Sequence, residues 1–186
     1  MDRIILASQS PRRKQLMEAA EIDFTIVVAD VDETNPPGMP GEQVPEYLAK
    51  KKAAAIEADY PDATIVAADT IVLLDGEILG KPTDATDAEH ILSKLSGRVH
   101  RVVTGVCIQK GTKQHSFSTT TEVHFRPLTA EQIKYYVANY KPFDKAGAYA
   151  IQEWIGMVGI EKINGDYYSV MGLPIGEVVK VLQEFV

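Results

Sequence analysis

Four apolar residues, Ile4-Ile5-Leu6-Ala7, run directly into Ser8-Gln9-Ser10-Pro11-Arg12-Arg13. No other junction constrains the fold as tightly. A short apolar run of this kind reads as a buried strand, here over Ile4–Ala7. A hydroxyl then caps a helix, and Pro11 takes the first helical position, where its missing N–H costs nothing. Arg12 and Arg13 are out of place in that first turn, because a helix N-terminus already carries partial positive charge and favours Asp or Glu. Two cations beside free backbone N–H groups make a pocket for an anion, phosphate first among them. The competing reading is a capped helix whose arginines are simply solvated.

The same pattern logic predicts the remaining elements. The first helix runs from Pro11 to about Ala20, a strand covers Phe24–Ala29, and a second helix spans about Gln43 to Ala58. The loop Asn35-Pro36-Pro37-Gly38-Met39-Pro40-Gly41 is a surface connection or lid. Thr64–Ala68 reads as a strand, and Ile71–Leu74 pairs with Glu77–Leu79 through the Asp75-Gly76 turn. Thr86 caps a helix ending at Gly97. Val99–Ile108 and Lys113–Arg126 flank Lys110-Gly111 as a hairpin. Thr129-Ala130-Glu131-Gln132 has the form of a capping box. Asn164-Gly165 marks a second hairpin, and Leu173-Pro174 opens a C-terminal helix. Strands and helices mix without strict alternation, which predicts an α/β or α+β fold: one domain over 1–186, a twisted mixed sheet flanked by helices.

A chain of 186 residues with 45% hydrophobic and 24% charged residues is ordinary for one globular domain burying roughly 70% of its unfolded surface. No apolar run nears the ~20 residues of a membrane span, and Met1-Asp2-Arg3 with four apolar residues is too short for a signal peptide. The single cysteine, Cys107, lies between Val106 and Ile108 and reads as a buried thiol in a reducing cytoplasm. A net charge of −7 argues against nucleic acid as partner. Local basic clusters, Arg12-Arg13-Lys14, Lys50-Lys51-Lys52 and Lys81, instead match a small polyanion held in a cleft.

Among candidate chemical groups, Asp69-Thr70 closes the apolar run Thr64–Ala68, at the edge where α/β sheets bind ligands. Asp69 can ligate a hard cation, act as general base, or cap a turn. Lys81, one hairpin later, can return to the same edge. On the second helix, Val44, Leu48 and Ala55 define one face at ~100° per residue. Lys51 and Lys52 fall on or beside it and Lys50 points away, so helix geometry leaves Lys51 and Lys52 undecided. Asp30-Val31-Asp32-Glu33-Thr34 resembles the Asp-x-Asp-x-Thr opening of haloacid dehalogenase-type phosphatases, yet no downstream acidic pair completes that pattern. The plain alternative is an acidic loop, whose three carboxylates could also help to hold Mg²⁺. His90, His100, His115 and His124 lack zinc-site spacing and read as surface or sheet residues. No Gly-x-x-x-x-Gly-Lys-Ser/Thr phosphate loop occurs.

Taken together, the blocks Leu6–Arg13, Glu33, Leu48–Ala53, Ala68-Asp69-Thr70, Gly80-Lys81-Pro82, Leu95-Ser96-Gly97, Asp144–Gln152, Ile163-Asn164-Gly165 and Val170–Pro174 closely resemble the Maf family of nucleoside triphosphate pyrophosphatases along the whole chain. That resemblance implies an ITPase/Maf-like fold with a nucleotide cleft, and a cytoplasmic enzyme converting a nucleoside triphosphate to monophosphate and pyrophosphate with Mg²⁺ or Mn²⁺. Asp69 matches the catalytic proton acceptor, and Glu33, Lys52 and Lys81 match the charged pocket, which selects Lys52 over Lys51. Arg12, Thr70 and Gln152 match positions associated with dTTP and UTP. Gln9 departs from the small residue of many relatives. The family also implies a homodimer and, through its name, an alternative role as a non-catalytic regulator of septation.

The chemistry is coherent from the residues upward. Attack at the α-phosphorus needs a metal to neutralise the triphosphate, cations for the leaving pyrophosphate and a carboxylate to orient water. Glu33 and Asp69 supply metal ligands. Ser8, Ser10, Arg13, Lys52 and Lys81 supply phosphate binding, and Gln152 an amide for a pyrimidine edge. Arg12 can face base or phosphate, and the sequence leaves both open.

Overall fold

The structure, a computed structural model, describes residues 3–28 and 30–185. It is a mixed α/β fold built on one sheet with strand order β2-β1-β3-β5-β6-β7, β4 pairing with β3 off that path. The strands are β1 (Ile4–Leu6), β2 (Thr25–Ile26), β3 (Thr64–Leu74), β4 (Glu77–Leu79), β5 (Val99–Lys110), β6 (Lys113–Phe125) and β7 (Ile160–Asn164). The helices are α1 (Pro11–Ala19), α2 (Val44–Glu57), α3 (Ala85–Leu95), α4 (Ala130–Tyr140), α5 (Trp154–Gly159), α6 (Tyr167–Met171) and α7 (Ile175–Leu182). β1 runs parallel to both β2 and β3, whereas β3–β4 and β6–β7 are antiparallel, so the sheet is mixed as predicted.

The chain divides into two compact units. The first comprises Met1–Thr70, Thr104–Thr119 and Gly172–Val186; the second comprises Ile71–Val103 and Thr120–Met171. In the first unit, Ile5, Ala7, Ile65 and Ala67 meet Ala49, Ala53 and Ile56 of α2, with Cys107 beside them. Burial holds the Cys107 thiol up at about 11, as expected of an inert buried cysteine. Helix α2 buries Val44, Pro45, Leu48, Ala49, Ala53 and Ile56. Ala55, expected on that face, is exposed instead, because the seam follows the small residues Ala49 and Ala53, which admit close approach. A Cβ on Gly105 of β5 would lie 2.1 Å from Glu46 N, so only glycine admits the start of α2. Ser116 Oγ and Ser118 Oγ of β6 then donate to the Glu46 carboxylate at 2.7 and 3.3 Å.

In the second unit, Ile71, Leu73 and Val103 form one apolar cluster. An aromatic cluster joins His100, Phe125 and Tyr149, with His100 and Tyr149 ring centroids 5.5 Å apart.

Several expectations shift in detail. Asp69 and Thr70 do not end a strand: β3 is continuous through them, since the apolar run resumes at Ile71 and keeps pairing with β4. The strand expected over Phe24–Ala29 shortens to Thr25–Ile26, its ladder with β1 covering two residues; Ala29, like Met1 and Asp2, lies outside the described residues. Asp84 rather than Thr86 caps α3, its carboxylate accepting from Asp87 N at 2.8 Å. Asn164-Gly165 closes no hairpin, because α6 follows it. The Asp75-Gly76 turn, with φ of 51° and 83°, and the Thr129/Gln132 capping box are as predicted. His90 lies on exposed α3 surface and the other three histidines lie in strands.

Candidate active site

The β1–α1 junction builds the first wall. Ser10 caps α1, its Oγ accepting from Arg13 N, with Pro11 as the first helical residue and no acidic group in the first turn. Ser8, nearly buried, accepts through Oγ from Ser10 N at 3.2 Å and from Arg13 Nη1 at 3.1 Å. Arg13 turns inward. Its Nε donates to Gly172 O at 2.7 Å and its Nη2 to Thr70 Oγ1 at 3.1 Å. Those three bonds engage three of the five guanidinium N–H donors. Burial pushes the Arg13 pKa below its ordinary value while Asp69 opposes that shift; the guanidinium stays charged. Arg12 beside it is half-buried.

The second wall comes from α2 and β3. Lys52 Nζ lies 2.7 Å from Asp69 Oδ1 and 2.9 Å from Glu33 Oε1. The Lys52 and Asp69 side chains are each 15% exposed, while Glu33 is 56% exposed. One ammonium thus bridges a sheltered carboxylate and an open one. The two neighbouring lysines go elsewhere: Lys50 pairs with Glu46 at 2.9 Å, and Lys51 Nζ donates to Asp32 O. Lys52 is therefore the lysine that α2 delivers to the carboxylates, the choice implied by the family resemblance and left open by helix geometry.

Thr70, next along β3, is fixed on two sides. Besides Arg13, its Oγ1 is 2.8 Å from Thr104 Oγ1 of β5. Thr104 is fully buried and was absent from the sequence-derived candidates. A lone hydroxyl inside the otherwise apolar stretch Val102–Ile108 of β5 is the signal that could have found it. The first unit therefore assembles Ser8, Ser10, Arg13, Glu33, Lys52, Asp69 and Thr70.

Lys81 and Gln152 belong to the second unit, and both are exposed. Their loops are tied: Gly147 N donates to Gly80 O at 3.1 Å. Gly147 (φ 71°) and Ala148 (φ 60°) are both left-handed, and Ala148, which has a Cβ, carries backbone strain in the segment that leads to Gln152. The acidic loop is locally satisfied, with Asp32 Oδ1 accepting from Thr34 N at 2.9 Å. That hydrogen bonding with Thr34 lowers the Asp32 pKa. This is the turn chemistry expected of an Asp-x-Thr segment, at the position that would be the general acid of a haloacid dehalogenase-type site.

Comparison with known proteins agrees with these motifs. The family model described as Maf-like protein matches residues 3–185. A dTTP/UTP pyrophosphatase of Cytophaga hutchinsonii is 52% identical over 97% of this chain and 83% of its own length. The dTTP/UTP pyrophosphatase of Bacillus velezensis is 45% identical over 98% and 96%. Among solved structures, a HAM1 protein from Coxiella burnetii superposes with a TM-score of 0.57 at 14% identity, covering 99% of this chain and 100% of that one. The Staphylococcus aureus Ham1 protein gives 0.51 at 18% identity over 67% and 72%. These two share the fold.

Proposed function

Because the chain belongs to the Maf-like family, we propose that it is a nucleoside triphosphate pyrophosphatase acting on dTTP and UTP, releasing monophosphate and pyrophosphate. The observation that carries this reading is the bridged set Asp69–Lys52–Glu33 beside the capped start of α1, in a chain 45–52% identical to relatives named for that activity.

Asp69 is the carboxylate for the attacking water: sheltered, on a rigid strand, and held by Lys52 in one orientation. Lys52 and Lys81 supply charge for the leaving pyrophosphate, while Arg13 adds charge from behind and holds Ser8 and Thr70 in place. The Ser10-capped start of α1 contributes the partial positive charge of a helix N-terminus to phosphate binding. Thr70, Arg12 and Gln152 read the nucleotide and select pyrimidines.

A divalent cation fits these residues. Two carboxylates, Glu33 and Asp69, already converge on one cationic atom, and Mg²⁺ is commonly held by one or two carboxylates with the remaining positions left to water and substrate phosphates. Among the described residues no cluster of three or more His, Cys, Asp or Glu side chains adds to them. Bound there, Mg²⁺ or Mn²⁺ supplies charge neutralisation of the triphosphate.

Incubation with a panel of nucleotides, including modified pyrimidine nucleotides, and Mg²⁺ or Mn²⁺ tests the proposal: pyrophosphate is expected from dTTP and UTP. Orthophosphate alone, or no turnover, would refute it. A septation role independent of chemistry would persist in cells carrying Asp69→Asn, which separates the two functions.

A further inference from the structure

Gln152 is exposed, yet the residues on both sides of it are tied to one atom in the second unit. Tyr136 of α4, whose side chain is fully buried, accepts a hydrogen bond through its phenolic oxygen from Ala150 N at 3.1 Å. The same hydroxyl donates its proton to Glu153 Oε2. A phenol has one proton to give and lone pairs to receive, so this geometry fills both roles across the three-residue step Ala150 to Glu153. Lys145, nearly buried, closes the arrangement from the far side, 3.5 Å from Glu153 Oε1 and 2.9 Å from Asp144 Oδ1. One residue further back, the Tyr149 hydroxyl is 2.6 Å from His100 Nε2. The segment is thus pinned at Lys145, Tyr149, Ala150 and Glu153, while Gln152 alone projects outward.

We propose that Tyr136 is a positioning residue for substrate selection, its hydroxyl clasping Ala150 and Glu153 so that the Gln152 amide is presented in one orientation. The inference rests on the pyrimidine-reading role given above to Gln152. An amide reads a base edge through a paired donor and acceptor, and that pairing discriminates only if the backbone carrying it does not swing. Free rotation of the segment would let either end of the amide meet either kind of base edge. Holding the backbone at Ala150 and the side chain of Glu153 by a buried phenol limits that freedom without placing the phenol on the substrate.

Tyr136→Phe tests this directly, because it deletes the oxygen and keeps the ring that stacks on Tyr140 with centroids 5.0 Å apart. The preference for dTTP over purine triphosphates, taken as a ratio of kcat/KM, is expected to fall roughly tenfold once both hydrogen bonds of the clasp are gone, through KM with kcat little changed. Hydrogen exchange at the Ala150 amide is expected to accelerate in the same variant, which reads the clasp without any reference to activity. In a Gln152→Ala background, Tyr136→Phe should leave the ratio where Gln152→Ala alone puts it. An unchanged ratio in Tyr136→Phe, alongside a changed one in Gln152→Ala, overturns the inference and leaves the role of Gln152 standing. An equal further drop in the Gln152→Ala background overturns it also, since Tyr136 then acts through something else. If Gln152→Ala itself leaves the ratio unchanged, the role of Gln152 fails and the inference falls with it.

Discussion

Lys52 Nζ sits 2.7 Å from Asp69 Oδ1, the ammonium from the middle of α2 and the carboxylate from the middle of β3. Both side chains are largely sheltered and both stand on regular elements, so the pair is held by the scaffold rather than by a loop. The same ammonium reaches Glu33, which is more than half exposed. One ammonium thus links a carboxylate sheltered on β3 to one that stands open to solvent.

Asp69→Asn keeps the shape and removes the charge and basicity. Turnover of dTTP should fall at least ~10²-fold, the range of a lost general base. Pyrophosphate release measured against unchanged thermal stability checks this, and near-normal turnover would remove Asp69 from its role.

Arg13→Lys should destabilise the protein nearly as much as Arg13→Ala, by about 2–4 kcal/mol. Ser8 Oγ, Thr70 Oγ1 and Gly172 O all accept from one guanidinium, and an ammonium cannot reproduce that planar fork. Denaturant midpoints of the two variants would show it; rescue by lysine would mean that charge alone matters.

Gly105→Ala is expected to be the most damaging single-methyl change in the first unit. Its Cβ would stand 2.1 Å from Glu46 N and 2.3 Å from Pro45 C, backbone atoms that no rotamer change can move. Helix α2 must shift, at a cost of about 3 kcal/mol or more. Activity should fall with it, because α2 carries Lys52. Soluble yield and thermal melting measure the effect.

Stability should depend on pH through His100. Burial, and secondarily His124, hold its pKa at about 3 against an ordinary 6.5. Between those values the unfolded chain takes up a proton that the native state refuses. The stabilisation is therefore complete above pH 6.5 and declines as pH falls, by on the order of 5 kcal/mol at pH 3. Melting of the wild type and of His100→Gln across that window should give a shallower slope for the variant.

Local chemistry alone was enough for the start of α1, the Asp75-Gly76 turn and the Thr129 capping box, because each is decided within about four residues. Local chemistry left Lys51 and Lys52 undecided; the structure sets Lys52 against Asp69 and Glu33. Folding over distance decided the rest. Arg13 finds its acceptor at Gly172, 159 residues away, and Thr70 finds Thr104 on another strand; no local window contains either pair. The three consecutive lysines part company for the same reason. Successive helix positions differ by ~100°: Lys50 pairs within α2 with Glu46, whereas only the distant partners Asp32 and Asp69 tell Lys51 and Lys52 apart. The β1–α1 junction shows in its own residues a Ser10 cap, Pro11 at the first helical position and two arginines in the first turn. Which way Arg13 faces was decided by the strands and the C-terminal segment folded against it.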